Sequence, residues 1–385
     1  MTDTELLDAA ERLRYVCYEA ADEIEAQRRI PAEISAQIAG AGLYGMGIPA
    51  SVGGLETPPV VSSKAIETLA RGDASCAWVV FIALTSGTTL AMIPRGSAQA
   101  IYTNPQMMVT GVFAPAGRAD KVSGGFRVSG QWQWGSGSQN SDWVLGGCMF
   151  YEDGEPLLDE RGNQRTHMVL MPASEVEFLD TWHVSGLCGS GSLDYRVSDA
   201  FVPDERVAGY MIDRETLRQP LYAFPQFTFL ALGIGAVCMG IARAAIDELI
   251  DVATAKKRAG NSATIASKSI SQTKLAQAEA DLRSARAFYY DTLEEAWEVA
   301  RNGGKVSLDV RRDLRLATTN AVMKSAGVVD EMYNLAGGTS VYRSSRLQRY
   351  FRDVHVTTQH IMVAPQTLEV LGSMYFGNDA KSAMI

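Results

Sequence analysis

His360, closing the stretch VHVTTQH, is a side chain suited to exchanging a proton with a reacting atom, a claim that His355, nearer the preceding helix, does not share. An unperturbed histidine titrates near pH ~6.5, and no carboxylate stands between Asp353 and Glu369 to act as a base in its place. A histidine among apolar residues also serves as a packed core residue, and composition alone leaves both readings open. A second set lies in GQWQWGSGSQNSDW, where Ser136 and Gly137 follow Trp134. A serine hydroxyl can donate and accept a hydrogen bond; as ordinary strand aromatics and turn serines, Trp132, Trp134, Trp143 and their neighbours need no function. Gly337 and Gly338, followed by Thr339, Arg343, Ser344, Ser345 and Arg346, combine backbone amides with cations in a pattern suited to a phosphate. Tyr222, Phe224 and Phe227 could line a flat apolar pocket, and core packing explains them equally well. Gly189-Ser190-Gly191 looks like a dinucleotide loop, but residues 192–202 alternate as a strand instead of opening a helix, so it fails in context.

The elements that must position these groups fall into three blocks, residues 1–104, 105–215 and 216–385. In the first, Leu6, Leu7, Ala10, Leu13, Val16, Cys17, Ala20 and Ile24 recur at three- and four-residue spacing, the mark of an amphipathic helix. Ile34, Ile38 and Leu43 predict a second helix, PASVGG (49–54) a turn, residues 62–70 a third helix, and 77–92 an apolar central segment. In the second block the period changes to two, with strands at 126–128, 143–144, 168–171 and 195–202 and a hairpin turn at 122–130. In the third, helices return after Pro220, with long amphipathic runs at 270–301 and 310–336 closed by Gly337. The expected fold class is α+β: an N-terminal helical domain, a β-barrel-like middle domain and a C-terminal helical bundle.

With 385 residues, 46% of them hydrophobic, the chain can bury large cores. Its formal charge of −9 argues against general affinity for nucleic acid or an anionic membrane. Cys17, Cys76, Cys148, Cys188 and Cys238 show no paired spacing, which suggests neither a disulfide framework nor a zinc site. The start, MTDTELLDAAERLRY, lacks the basic and apolar regions of a secretion signal, and a cytoplasmic location is expected. The stretch 227–242 is apolar but glycine-containing and runs straight into Arg243, as a core helix does.

Three stretches carry a family resemblance: GVFAPAGRADKVSGGFRVSGQWQWGSGSQNSDWVLGG, TWHVSGLCGSGSLDYRVSDAFVPDERV and LAGGTSVYRSSRLQRYFRDVHVTTQH. Together they resemble the acyl-CoA dehydrogenases, and specifically the flavin-dependent monooxygenases built on that fold, a group that includes p-hydroxyphenylacetate, hydroxysteroid-phenol, dibenzothiophene and indole monooxygenases. The resemblance implies that Phe113, Trp134, Ser136 and Gly137 face the flavin, with Ser136 at N5, that a helix ends at Arg352-Asp353 with a loop from Val354 to Ile361, and that His360 in this loop occupies the place of the dehydrogenases' catalytic glutamate. Lys256, Arg258, Gly337, Gly338, Arg343 and Ser344 would hold the flavin tail; Ala259 stands where the family's phosphate-binding turn has an aromatic residue, and Cys188 where it has an arginine. It further implies a reduced flavin (FADH2 or FMNH2) and O2 as co-reactants, and oxygen transfer through a C4a-hydroperoxyflavin to a phenolic or indole-like ring. A separate NAD(P)H-dependent flavin reductase and a homotetramer, into which the long apolar helices would pack, complete that expectation. The runners-up are an acyl-CoA dehydrogenase or oxidase with a relocated base, for which residues 217–236 offer no Asp or Glu, and an amine N-oxygenase.

Overall fold

The computed structural model describes residues 1–212, 214–255 and 264–378, so Lys256 and Arg258 lie outside the described residues. Helix α1 (Asp3–Gln27) opens with a capping box: Thr2 Oγ1 accepts the Glu5 amide, and the Glu5 carboxylate accepts the Thr2 amide. Its buried stripe of Leu6, Ala10, Leu13, Cys17 and Ile24 follows the sequence period. Helices α2 (Ala32–Gly40) and α3 (Pro59–Ala70) follow, the latter starting three residues before the expected 62 because proline fits a first helical turn. Helix α4 (Ala74–Gly87) is capped by Asp73, whose carboxylate accepts the Cys76 amide. It gives way at Thr88 to a tighter turn, where Thr88 and Thr89 hydroxyls donate back to Thr85 and Ser86 carbonyls. Helix α5 (Arg95–Ile101) ends this part.

The middle of the chain forms one sheet from β1 (Val109–Val122), β2 (Gly125–Gly135), β3 (Trp143–Glu152), β4 (Glu155–Pro156), β5 (Thr166–Pro172), β6 (Glu177–Leu179), β7 (Leu193–Pro203) and β8 (Val207–Ala208). Their order is β6-β7-β2-β1-β3-β5-β8, with β4 beside β3. The expected hairpin joins β1 to β2, Val122 pairing with Gly125, while β1 and β3 run parallel. Trp132 fills the sheet's core, stacked on Tyr195 at 5.3 Å and donating to Gly147 O.

Five helices and a short one follow: α6 (Pro220–Ala223), α7 (Gln226–Ala255), α8 (Ser269–Arg301), α9 (Leu308–Ala336), α10 (Arg346–Thr357) and α11 (Gln366–Tyr375). Ala74–Met92 and Gln226–Thr254 are each long and apolar enough to cross a membrane, but 89% of each apolar window is buried inside the protein. That burial corrects one expectation: the apolar surface of α7 is covered within a single chain and gives no argument for assembly. A second correction concerns α10. It runs one turn past Asp353 to Thr357, because Leu347, Tyr350, Val354 and Thr357 continue a buried helical stripe. His355 is therefore helical, and only Thr358 to His360 form the turn that follows.

Candidate active site

Trp78, on the buried helix α4, joins the two residues singled out for chemistry. Its indole Nε1 donates to Ser136 Oγ at 3.0 Å, and its ring meets the His360 ring edge-on at 5.8 Å between centroids. Ser136, at 5% exposure, follows β2 immediately, and Gly137 turns the chain away with φ 75°. A Cβ at Gly137 would stand 2.9 Å from Val79 Cγ1, so the turn requires glycine.

The hydrogen bonds behind Ser136 have a fixed direction. Each serine owns one proton. Ser190 Oγ donates its proton to Leu187 O at 2.7 Å, and must therefore accept from Ser192 Oγ, also at 2.7 Å. Ser192, its proton spent, accepts from Ser136 at 2.7 Å. Ser136 thus receives the Trp78 N–H, gives its own proton to Ser192, and retains a lone pair: toward a ligand it is an acceptor.

The far end of this row is held by α10. Asp353 Oδ1 accepts the Leu187 amide at 2.7 Å, and Leu187 sits at φ 49°. Gly186 beside it approaches α10 so closely that a Cβ would lie 2.3 Å from Arg352 O. Burial, and then the charge of Asp73, push the Asp353 carboxyl up to about 7. Its raised folded value means that its contribution to stability is whole below about pH 4 and is lost as pH rises through about 7. Asp353→Asn keeps a carbonyl acceptor for Leu187 without the charge. Thermal melts of this variant are expected to fall less between about pH 5 and 8 than those of the parent; parallel curves would mean that Asp353 does not titrate there.

His360 caps the short turn Ile361–Val363, its Nδ1 accepting the Met362 amide at 3.2 Å. With Nδ1 an acceptor, the neutral ring carries its proton on Nε2. Burial, reinforced by the nearby positive charge of Arg315, lowers its pKa from 6.5 to about 4. At neutral pH His360 is an uncharged N–H donor. His355 is half-exposed on α10, where it contacts Asp330 at 2.8 Å and meets the Phe351 ring edge-on. His183 is an exposed loop residue beside Asp180 and Arg28.

The remaining candidates divide. Trp134, next to the buried Ser136, is 68% exposed with φ 67°. That backbone conformation is strained for a residue with a side chain. Phe113 lies on β1, partly buried against the cluster containing Val109, Leu145 and Leu170. Phe227 is partly exposed at the start of α7, facing the Arg315 guanidinium at 5.9 Å. Phe224, by contrast, is buried against Phe229 and Trp297, and the Tyr222 hydroxyl donates to Gly47 O; these two belong to the helical packing. Gly337, at φ 63°, and Gly338 form the turn after α9, and Arg343 and Ser344 are exposed beyond it. Arg346 leaves that group: its Nη1 donates to Tyr18 O and its guanidinium stacks on the Tyr18 ring.

Sequence reasoning missed Trp78, which hides in an apolar run, and Arg315. The latter is 3% exposed on the buried stripe of α9 that continues through Thr318, Thr319 and Val322. The legible signal was an arginine falling on a buried helical period.

Comparison with known proteins places this geometry. Residues 4–100 match the model "Acyl-CoA dehydrogenase, N-terminal domain", and residues 232–365 match "Acyl-CoA dehydrogenase, C-terminal domain". The chain is 33% identical to an indole-3-acetate monooxygenase of Pseudomonas putida, over 92% of this chain and 89% of that protein. It is 27% identical to the oxygenase component of p-hydroxyphenylacetate 3-hydroxylase from Acinetobacter baumannii, over 95% of this chain and 87% of the relative. The structure of XiaF from Streptomyces sp. in complex with FADH2 and glycerol superposes with a TM-score of 0.88 at 25% identity, covering 98% of this chain and 96% of that one. Helical ends around a central sheet, both terminal domains matched and a monooxygenase aligned along nearly the whole length lead to one conclusion: the chain belongs to the acyl-CoA dehydrogenase family, and within it to the flavin-dependent monooxygenases.

Proposed function

We propose that this chain is the oxygenase component of a two-component system, taking reduced flavin (FADH2 or FMNH2) from a separate NAD(P)H-dependent reductase and hydroxylating a phenolic or indole-like ring with O2. The observation that carries this reading is the convergence on Trp78 of an acceptor hydroxyl, Ser136, and a neutral imidazole donor, His360, where a dehydrogenase of this fold needs a carboxylate base.

The residues present fit a flavin. The exposed Trp134 indole, held in a strained backbone conformation beside Ser136, offers a flat face to a ring system. A Cβ at Gly338 would meet nothing and Arg343 and Ser344 are exposed beyond it, so this turn is open to a phosphate, which in a homotetramer would belong to the flavin of another subunit; the ring bound in this chain sits against Trp134 and Ser136. Bound there, reduced flavin supplies the two electrons and activates dioxygen. Ser136 Oγ, with a lone pair and no spare proton, accepts a ring N–H. His360 Nε2–H donates to oxygen where negative charge develops, its orientation set by the Met362 amide. Trp78 spaces the two, and the packed faces of α4 and α7 exclude water.

We further assign a homotetramer, supported by large apolar side chains left exposed near the C-terminal end, among them Val341, Tyr342, Ile361 and Phe376. Five free cysteines support a reducing cytoplasmic setting.

Oxygen uptake and ring hydroxylation are expected only when a flavin reductase and NAD(P)H are supplied together with the protein, screened first on indoles and phenols. Reduction of bound flavin by an acyl-CoA thioester without reductase would instead establish the dehydrogenase reading.

A further inference from the structure

Arg315, among the described residues, is a charge beside the candidate site with no ion-pair partner. It is 3% exposed, its Nε is buried with no hydrogen-bond partner, and no carboxylate pairs with it among the described residues. Burial lowers its pKa only to about 10, so it is charged at neutral pH. Isolating a cation in this way costs several kcal/mol in general, and proteins keep such groups where a ligand compensates them. Two further polar atoms, one on α9 itself and one on the facing helix α7, are orphaned. Thr319 Oγ1 lies one turn along α9 on the same stripe, and Thr228 Oγ1 follows Phe227 on α7; both are buried and unpartnered. Phe227 presents its ring to the guanidinium at 5.9 Å, and the charge of Arg315 reaches His360.

We propose that Arg315 receives a carboxylate of the aromatic substrate, so that the enzyme selects aromatic acids over the neutral parent rings, with Phe227 alongside the ring and its short acidic arm. This rests on the oxygenase reading of the same site and names the substrate class for it. A guanidinium holds a carboxylate through two parallel N–H···O bonds, and the hydroxyls of Thr228 and Thr319 can supply further donors. A flavin phosphate is the other anion at hand. Arg315, however, lies near the start of α9, while the glycine turn and Ser345 follow its far end, about 30 Å away at roughly 1.5 Å per residue. The guanidinium belongs to the His360 end.

The test compares wild type with Arg315→Gln and Arg315→Lys, using indole-3-acetate against indole and 4-hydroxyphenylacetate against phenol. Equilibrium binding is measured by calorimetry, and kcat and KM with reductase and NAD(P)H present. Wild type is expected to bind the acids about 30-fold or more tightly than the neutral rings. Arg315→Gln should lose that preference through KM while binding neutral rings as before, and Arg315→Lys should keep part of it. Arg315→Gln should also melt no lower than wild type, since it removes an uncompensated buried charge. If Arg315→Gln nevertheless fails to fold, the wild-type preference and the partial loss in Arg315→Lys still decide the matter. Equal binding of acids and neutral rings by wild type overturns the assignment, as does an acid preference that survives in Arg315→Gln. Weakened binding of FMN but not of riboflavin in Arg315→Gln would assign the guanidinium to the phosphate and equally overturn it. Acid-selective binding without turnover of any ring would sink the oxygenase reading alone, whereas turnover without acid selectivity would sink only the role of Arg315.

Discussion

Replacing His360 by alanine is expected to lower ring hydroxylation by about 10²–10³-fold, the usual cost of deleting one preorganised donor at a site of developing charge. The loss should be the same at every pH from about 6 to 9. Burial and the charge of Arg315 hold the His360 pKa at about 4, so the ring stays neutral over that range and acts through Nε2–H, with Nδ1 occupied by the Met362 amide. His360→Gln, whose amide can donate over a similar reach, should recover part of the rate, and His355→Ala should do little. Wild-type activity in His360→Ala would return this residue to core packing. A bend in the pH–rate profile near about 6.5 that disappears with His360 would show instead an ordinary titrating histidine. The depressed pKa has a second reading in stability: the contribution of the neutral ring is present above about pH 6.5 and is lost as pH falls through about 4.

Ser136→Ala is expected to divert reducing equivalents from product to hydrogen peroxide, measured as product formed per NAD(P)H consumed. It should also destabilise the fold. The Trp78 Nε1–H, buried beneath it, loses its acceptor, and a stranded buried donor costs about 1–3 kcal/mol. The two effects separate in the double variant Trp78→Phe/Ser136→Ala, which removes the stranded donor: part of the melting temperature should return, and none of the product yield. Unchanged product yield in Ser136→Ala would take the hydroxyl out of the site, whatever the melting curves show.

Fold and site were legible to different depths. The period of α1, the β1–β2 hairpin and the return of helices at Pro220 were readable because burial on one face imposes a repeat on the sequence. Ser136 and His360 stand out as candidates because their neighbours resemble a family pattern. What joins them was not: Trp78 sits in a helix so apolar that one indole N–H leaves no mark on the period. The last turn of α10 reads as loop in sequence because Val354, Val356 and Thr357 are β-branched, weak helix formers, and only burial of the stripe ending at Val354 and Thr357 holds them helical. Phe224 and Tyr222 show the converse difficulty, since aromatic side chains look alike in sequence whether they line a pocket or pack against Trp297 and Gly47. Arg315 needed three dimensions, because only there does its buried, unpartnered Nε become visible.

The row of serines from Ser136 to Ser190 behaves like a one-way conductor whose polarity is fixed at the Leu187 carbonyl. Breaking it at Ser192 would release the Ser136 proton, so that this hydroxyl could donate as well as accept. Ser192 stands behind Ser136, and on the proposed reading it sets whether the site favours a ring nitrogen that bears hydrogen. On the proposed reading, discrimination between the two oxidation states of the flavin is written one residue behind the hydroxyl that would meet it, in the ownership of a single proton.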